Sequence, residues 1–158
     1  MPSHAAWSAE TAQRLIDERK ALPGALLPIL HALREAFGYI DRAAVPQVAD
    51  ALNLTRAEVH GVVSFYHDFR DHPPGRHVLK VCRAEACQSM NNEAIDHIKD
   101  RLGIDFHQTT PDRSFTLEAV YCLGNCACAP ALTLDEKVHG RVDAARFDRL
   151  IEGLGSRP

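Results

Sequence analysis

Apolar residues in the first seventy positions recur at helical spacing. Ala12, Leu15 and Ile16 share one side of an otherwise polar segment and predict a helix over Ala9 to Lys20. Leu26, Ile29, Leu30, Leu33 and Phe37 form a single stripe over Ala25 to Phe37, with Gly38 placed to stop it. A third helix is expected within Arg42 to Leu52; Asp41 could cap it, or Pro46 could be its first residue. The fourth begins at Thr55-Arg-Ala-Glu58, a capping box with Leu54 and Val59 at staple positions, and its apolar spacing runs on through Val62, Val63, Tyr66 and Phe69.

Asp71-His-Pro-Pro-Gly75 breaks this pattern and sets the expected boundary between an N-terminal helical bundle (1–72) and a second domain (76–158). Beyond it the period changes. A strand from His77 to Val81 precedes a helix that includes Asn92 to Leu102, with Ile95, Ile98 and Leu102 inward. A strand from Phe115 to Tyr121 follows, then a hairpin from Ala131–Leu134 to Val138–Val142. The closing helix has Asp143 as N-cap, Phe147, Leu150, Ile151 and Leu154 as its inward stripe, and Gly155 as its stop. The order is β-α-β-β-β-α, and the fold class is α/β. A strand–helix–strand crossover leaves its two strands parallel, so the chain leaves both at one edge, where open α/β sheets place ligands.

Composition narrows the function. With 46% hydrophobic and 25% charged residues the 158-residue chain is an ordinary globular sequence. A net charge of −3 gives no reason to expect nucleic acid or an anionic membrane as partner. The longest apolar stretch, Ala21 to Leu30, is short and broken by Pro23, Gly24 and Pro28, which argues against membrane insertion. The first ten residues hold no Lys or Arg, so no export signal is expected. Five cysteines without such a signal point to reduced thiols and a cytoplasmic location.

Four of those cysteines fall directly after the two predicted strands, as Cys82/Cys87 (C-x4-C) and Cys122/Cys126 (C-x3-C). Pairs forty positions apart are thereby expected to meet. Four thiolates suit a two-iron cluster, which takes two sulfurs per iron. Structural zinc, whose cysteine knuckles are usually spaced C-x2-C, is the competing metal, and thiol–disulfide chemistry is a third reading. Gly124 and Ala84 are small enough to let backbone N–H groups approach the sulfurs. Cys128 reads as a small buried side chain beside the site, with exchange for Cys126 as the alternative. Arg83, Glu85 and Asn125 flank the ligands and are expected to be solvated, or else to tune potential or touch a partner.

These residues resemble the thioredoxin-like two-iron ferredoxin subunits found beside the flavin subunit in respiratory NADH dehydrogenase, NAD-dependent hydrogenases and formate dehydrogenases. The likeness lies in Leu27-Pro-Ile-Leu30, Phe37-Gly-Tyr-Ile40, Val59-His-Gly-Val-Val-Ser-Phe-Tyr66, Val81-Cys-Arg-Ala-Glu-Ala-Cys87 and Cys122-Leu-Gly-Asn-Cys-Ala-Cys-Ala-Pro130. It implies a thioredoxin-like C-terminal domain holding one [2Fe-2S] cluster on Cys82, Cys87, Cys122 and Cys126. Within the family, Cys82 to Gln88 and Cys126 to Pro130 look most like the γ subunit of the soluble molybdenum-containing, NAD-dependent formate dehydrogenase. That likeness implies an electron carrier that is not catalytic alone, with two partners: a flavin- and NAD-binding subunit and a further iron–sulfur/molybdenum subunit. The equivalent subunit of NADH-quinone oxidoreductase or of an NAD-dependent hydrogenase is the alternative. Asn91-Asn92 departs from the glycine many relatives carry there. The broad apolar faces of the second and fourth helices suggest a clamp on the flavin subunit.

From another class, Val48 to Phe69 scans like a helix-turn-helix of a zinc-stabilised DNA-binding protein. Residues 1–70 carry seven Lys+Arg against eight Asp+Glu, and the second helix presents Glu58 and Asp68 beside Arg56 and Arg70. That is not the basic face phosphate binding needs. Nine histidines invite a mixed His/Cys cluster, but His60, His67, His77 and His139 lack the spacing to cysteine it requires. No G-x-G-x-x-G or Walker motif marks a nucleotide site.

Overall fold

The computed structural model describes residues 4–90 and 93–155. The chain divides into two compact units, Met1–Pro74 and Gly75–Pro158. The first holds α1 (Ala9–Asp17), α2 (Leu26–Phe37), α3 (Ala44–Leu52) and α4 (Arg56–Phe65). Ser8 caps α1 by accepting from the Thr11 N–H, and Thr55 and Glu58 form the reciprocal capping box of α4. Gly38 ends α2 at φ 81, a left-handed position that glycine adopts without strain.

The expected bounds change at three places in this unit. α1 stops at Asp17, and the chain to Leu22 continues in turns that include the tighter bonds Arg19 N–H to Ile16 C=O and Leu22 N–H to Arg19 C=O; Pro23 then disfavours helical backbone at Leu22. α3 starts at Ala44, so Pro46 is its third residue, where its missing N–H leaves no gap in the helical ladder. Asp41 accepts from the Ala43 N–H just before it. α4 stops at Phe65: Tyr66 is extended (φ −91, ψ 112), and Phe69 reaches the core from an irregular segment. His67 therefore does not share the helix of His60. The apolar face of α2 is used in the unit's own core, with Ile29, Leu30 and Leu33 at 0% exposure.

The second unit is a mixed α/β sheet domain: β1 (His77–Cys82), α5 (Glu85–Met90), α6 (Glu93–Leu102), β2 (Gln108–Thr109), β3 (Phe115–Val120), β4 (Leu132–Leu134), β5 (Lys137–His139) and α7 (Ala144–Gly155). The sheet order is β2-β3-β1-β4-β5. β1 and β3 are parallel over six pairs, from His77 opposite Phe115 to Cys82 opposite Val120, and the remaining pairings are antiparallel. Leu79, Leu117, Leu132, Ile98 and Phe147 form the core between sheet and helices. Asp143 caps α7 through the Arg146 N–H. The helix runs on through Gly155, the last described residue, rather than stopping before it.

One helix and one strand were not expected. α5 holds Cys87 in a helix rather than a loop, and β2 is a two-residue edge strand on β3. Asn91 and Asn92 lie outside the described residues, so α6 is described from Glu93. No described helix is long and apolar enough to cross a membrane.

Candidate metal centre

Parallel pairing of β1 and β3 decides where the cysteines go. Cys82 ends β1 beside Val120, and two residues beyond Val120 the chain reaches Cys122, so both pairs begin at one sheet edge. Backbone bonds fix that edge: Cys82 donates its N–H to the Ala131 carbonyl (3.0 Å), and Arg83 donates to Val120 (2.7 Å). The Ala84 carbonyl accepts from Cys87 and Gln88, starting the turn of α5 that brings Cys87 back toward Cys82. Both sulfur-bearing residues are buried, at 4% and 3% exposure, among Ala84, Val120, Leu123, Ala129 and Ala131.

The second pair lies on an exposed loop. Cys122 has φ 131, an uncommon conformation for a residue with a Cβ and an outlier of the kind that gathers at functional sites. Gly124, at φ 70, donates its backbone N–H to Cys122 Sγ at 3.3 Å. Cys126 opens a 3-10 turn (Cys126–Cys128) closed by Cys128 N–H to Asn125 and Ala129 N–H to Cys126.

The thiols interact within and between pairs. Burial pushes the Cys87 thiol up from its ordinary value, its bond with Cys82 adds to this, and the Ala131 N–H partly offsets both. Cys126 is raised chiefly by its bond with Cys122, and the charge of Cys82 acts on it as well. Like charges gathered in this way resist joint ionisation, and a bound cation reverses that by drawing the thiolates to itself. The donor set thus suits a metal centre. Two pairs of thiols, each within reach of the other pair's charge, match the two-plus-two grouping that a two-iron cluster uses.

The flanking residues take distinct places. Arg83 lies over the Phe106 ring (5.0 Å to the centroid), and its charge acts on Asp105. Glu85 is exposed in the first turn of α5, and Asn125 packs against Gly140. Cys128 is half-buried, and its carbonyl accepts from the Arg141 N–H. His77 bonds Asp135 (2.6 Å), and His60 and His67 are exposed in the other unit. Sequence reasoning missed Ala131, which serves both buried cysteines through its backbone and so leaves no side-chain signal. It also missed the close approach of Gly140 to Asn125 and Cys128, whose signal was a glycine between strand and helix.

The family model for the thioredoxin-like [2Fe-2S] ferredoxin matches residues 12–155. The chain is 32% identical over 155 residues to the NADP-reducing hydrogenase subunit HndA of Solidesulfovibrio fructosivorans, covering 96% of this chain and 91% of that protein. It is 36% identical over 144 residues to an NADH-quinone oxidoreductase subunit of Rhizobium meliloti, covering 90% and 83%. Among solved structures it superposes on the NAD+-reducing [NiFe]-hydrogenase in the air-oxidized state with a TM-score of 0.71 at 28% identity. That match covers 89% of this chain and 24% of the hydrogenase chain.

Proposed function

Because the chain belongs to the thioredoxin-like [2Fe-2S] ferredoxin family, whose members bind one such cluster, we propose that it is the one-electron relay subunit of an NAD-dependent formate dehydrogenase complex. The observation that carries the relay is the meeting of Cys82/Cys87 and Cys122/Cys126 at the edge shared by parallel β1 and β3. Cys82, Cys87, Cys122 and Cys126 would hold the cluster, which supplies single-electron storage between a two-electron flavin and other one-electron centres. The protein's share is to bury one pair, leave the other at the surface, and aim the Gly124 and Ala131 N–H groups at sulfur.

The exposed Cys122/Cys126 rim, with Tyr121 70% exposed beside it, is the side from which a redox partner would approach. The ferredoxin domain takes residues 76–158. The helical residues 1–72 serve as the docking module for the flavin- and NAD-binding subunit. Phe65 and Tyr66 support that role, because they stand exposed at the end of α4 in edge-to-face contact at 5.1 Å.

The formate dehydrogenase assignment rests on Cys82-Arg-Ala-Glu-Ala-Cys-Gln88 and Cys126-Ala-Cys-Ala-Pro130. The same relay would serve the kinds of complex named for the relatives, an NADH-quinone oxidoreductase or a hydrogenase. Purification of the intact complex decides. Iron, acid-labile sulfide and a rhombic spin-resonance signal on reduction are expected from this chain, together with a co-purifying molybdenum-containing one. Nickel in place of molybdenum, or quinone-reducing subunits, would refute the formate reading. Iron-free, colourless protein would refute the relay itself.

A further inference from the structure

Gly140 lies where the chain passes from β5 toward α7, against the back of the second cysteine loop. A Cβ there would fall 2.7 Å from Asn125 Nδ2, 2.7 Å from Cys128 Cβ and 2.8 Å from the Cys128 carbonyl oxygen. Asn125 Nδ2 ends a side chain that can turn away, but the other two atoms, a Cβ and a backbone oxygen, cannot move without the turn itself moving. Two hydrogen bonds hold the approach: Arg141 N–H to Cys128 C=O at 2.7 Å, and Val142 N–H to Pro130 C=O at 3.0 Å. The atoms that meet Gly140 belong to the 3-10 turn that opens with Cys126 and to Asn125 just before it. Its φ is not in the left-handed range, so the demand for glycine here is one of space.

We propose that Gly140 is a positioning residue of the cluster site: its bare α-carbon lets residues 140–142 seat the Asn125–Cys128 turn and so fixes where Cys126 presents its sulfur. The inference rests on the four-cysteine site and adds to it a residue that touches no ligand atom directly. Gly153 provides the contrast within the same unit. It stands on α7 with nothing within 4 Å of an added Cβ.

The test uses the full chain reconstituted with iron and sulfide, as Gly140→Ala, Gly153→Ala, Cys126→Ala and the double variant Gly140→Ala/Asn125→Ala. Gly140→Ala is expected to shift the spin-resonance g values of the reduced cluster and to lose iron to a chelator several-fold faster than wild type. Its far-UV circular dichroism should match wild type, while the crowded methyl lowers the thermal midpoint of its apo form. Gly153→Ala should match wild type throughout, and the double variant should regain part of the chelator resistance because one of the three clashing atoms is gone. Unchanged g values and chelator kinetics in Gly140→Ala overturn the proposal, as does loss of its secondary structure, which would make Gly140 a requirement of the fold. Full cluster content in Cys126→Ala overturns the ligand assignment as well, so the two failures are distinguishable.

Discussion

Leu117 offers the sharpest test of how the fold holds the site. It lies at the centre of β3 with 0% exposure, opposite Leu79 of β1 and Gln108 of β2, inside the core that carries both cysteine-bearing strands. Leu117→Ala removes three buried carbons, about 2.4 kcal/mol of transfer free energy at ~0.8 kcal/mol per methylene. Strands on both sides prevent the cavity from collapsing, which places the total near the upper half of the ~2.7–5 kcal/mol range for buried Leu→Ala, at about 4 kcal/mol. With a urea slope of about 1–1.5 kcal/mol/M for a unit this small, the midpoint should fall by roughly 3 M. The assay is urea unfolding of the apo chain followed by circular dichroism. The sole tryptophan, Trp7, packed on Phe37 at 5.0 Å, provides a fluorescence reference for the helical unit. Val138→Ala, at a side chain 47% exposed, should stay within about 0.5 kcal/mol of wild type. A loss below about 1 kcal/mol for Leu117→Ala would refute the claim that a shared, tightly packed core aligns the two cysteine pairs.

Further outcomes follow from the site and the caps. Cys126→Ala should abolish bound iron and sulfide while Cys128→Ala retains both; the reverse pattern would make Cys128 the ligand. Thr55→Ala removes the hydroxyl that accepts from the Glu58 N–H and should cost about 1 kcal/mol, read as a lower thermal midpoint of Trp7 fluorescence, with an unchanged midpoint counting against the cap. The hydroxyls of Ser114 and Thr110 hold the Asp112 carboxyl at about 2, below its ordinary 3.8. Its contribution to stability is therefore complete above 3.8 and is lost as the pH falls through about 2. A carbon-detected NMR titration should place its midpoint near that lower value, and a midpoint at 3.8 would contradict the bonded turn.

Helical stripes and caps were legible because each spans several periods or a fixed short motif: the α2 stripe, the Thr55–Glu58 box and the Asp143 cap need only local sequence. The meeting of the cysteine pairs was legible through topology, since a crossover between neighbouring strands leaves them parallel. α5 and β2 were hidden because six and two residues are too few to display a period. The end of α4 was misplaced for the opposite reason. Tyr66 and Phe69 continue the three-residue apolar spacing, yet the backbone at Tyr66 is extended, and tertiary burial of Phe69 explains the spacing without a helix. Ala131 and Gly140 act through a backbone N–H and through the space beside an α-carbon, and neither writes itself into a side chain.

The split of the sulfur set between two strands has a bearing on biosynthesis. A nascent polypeptide that has emerged only as far as α6 offers half the thiols, and those two close into the interior as β1 is covered. The remaining two follow β3 in the chain and lie beside the first pair only where β3 is paired with β1. A cluster held by these four thiols would therefore need the finished sheet, with the exposed Cys122/Cys126 side as its open face.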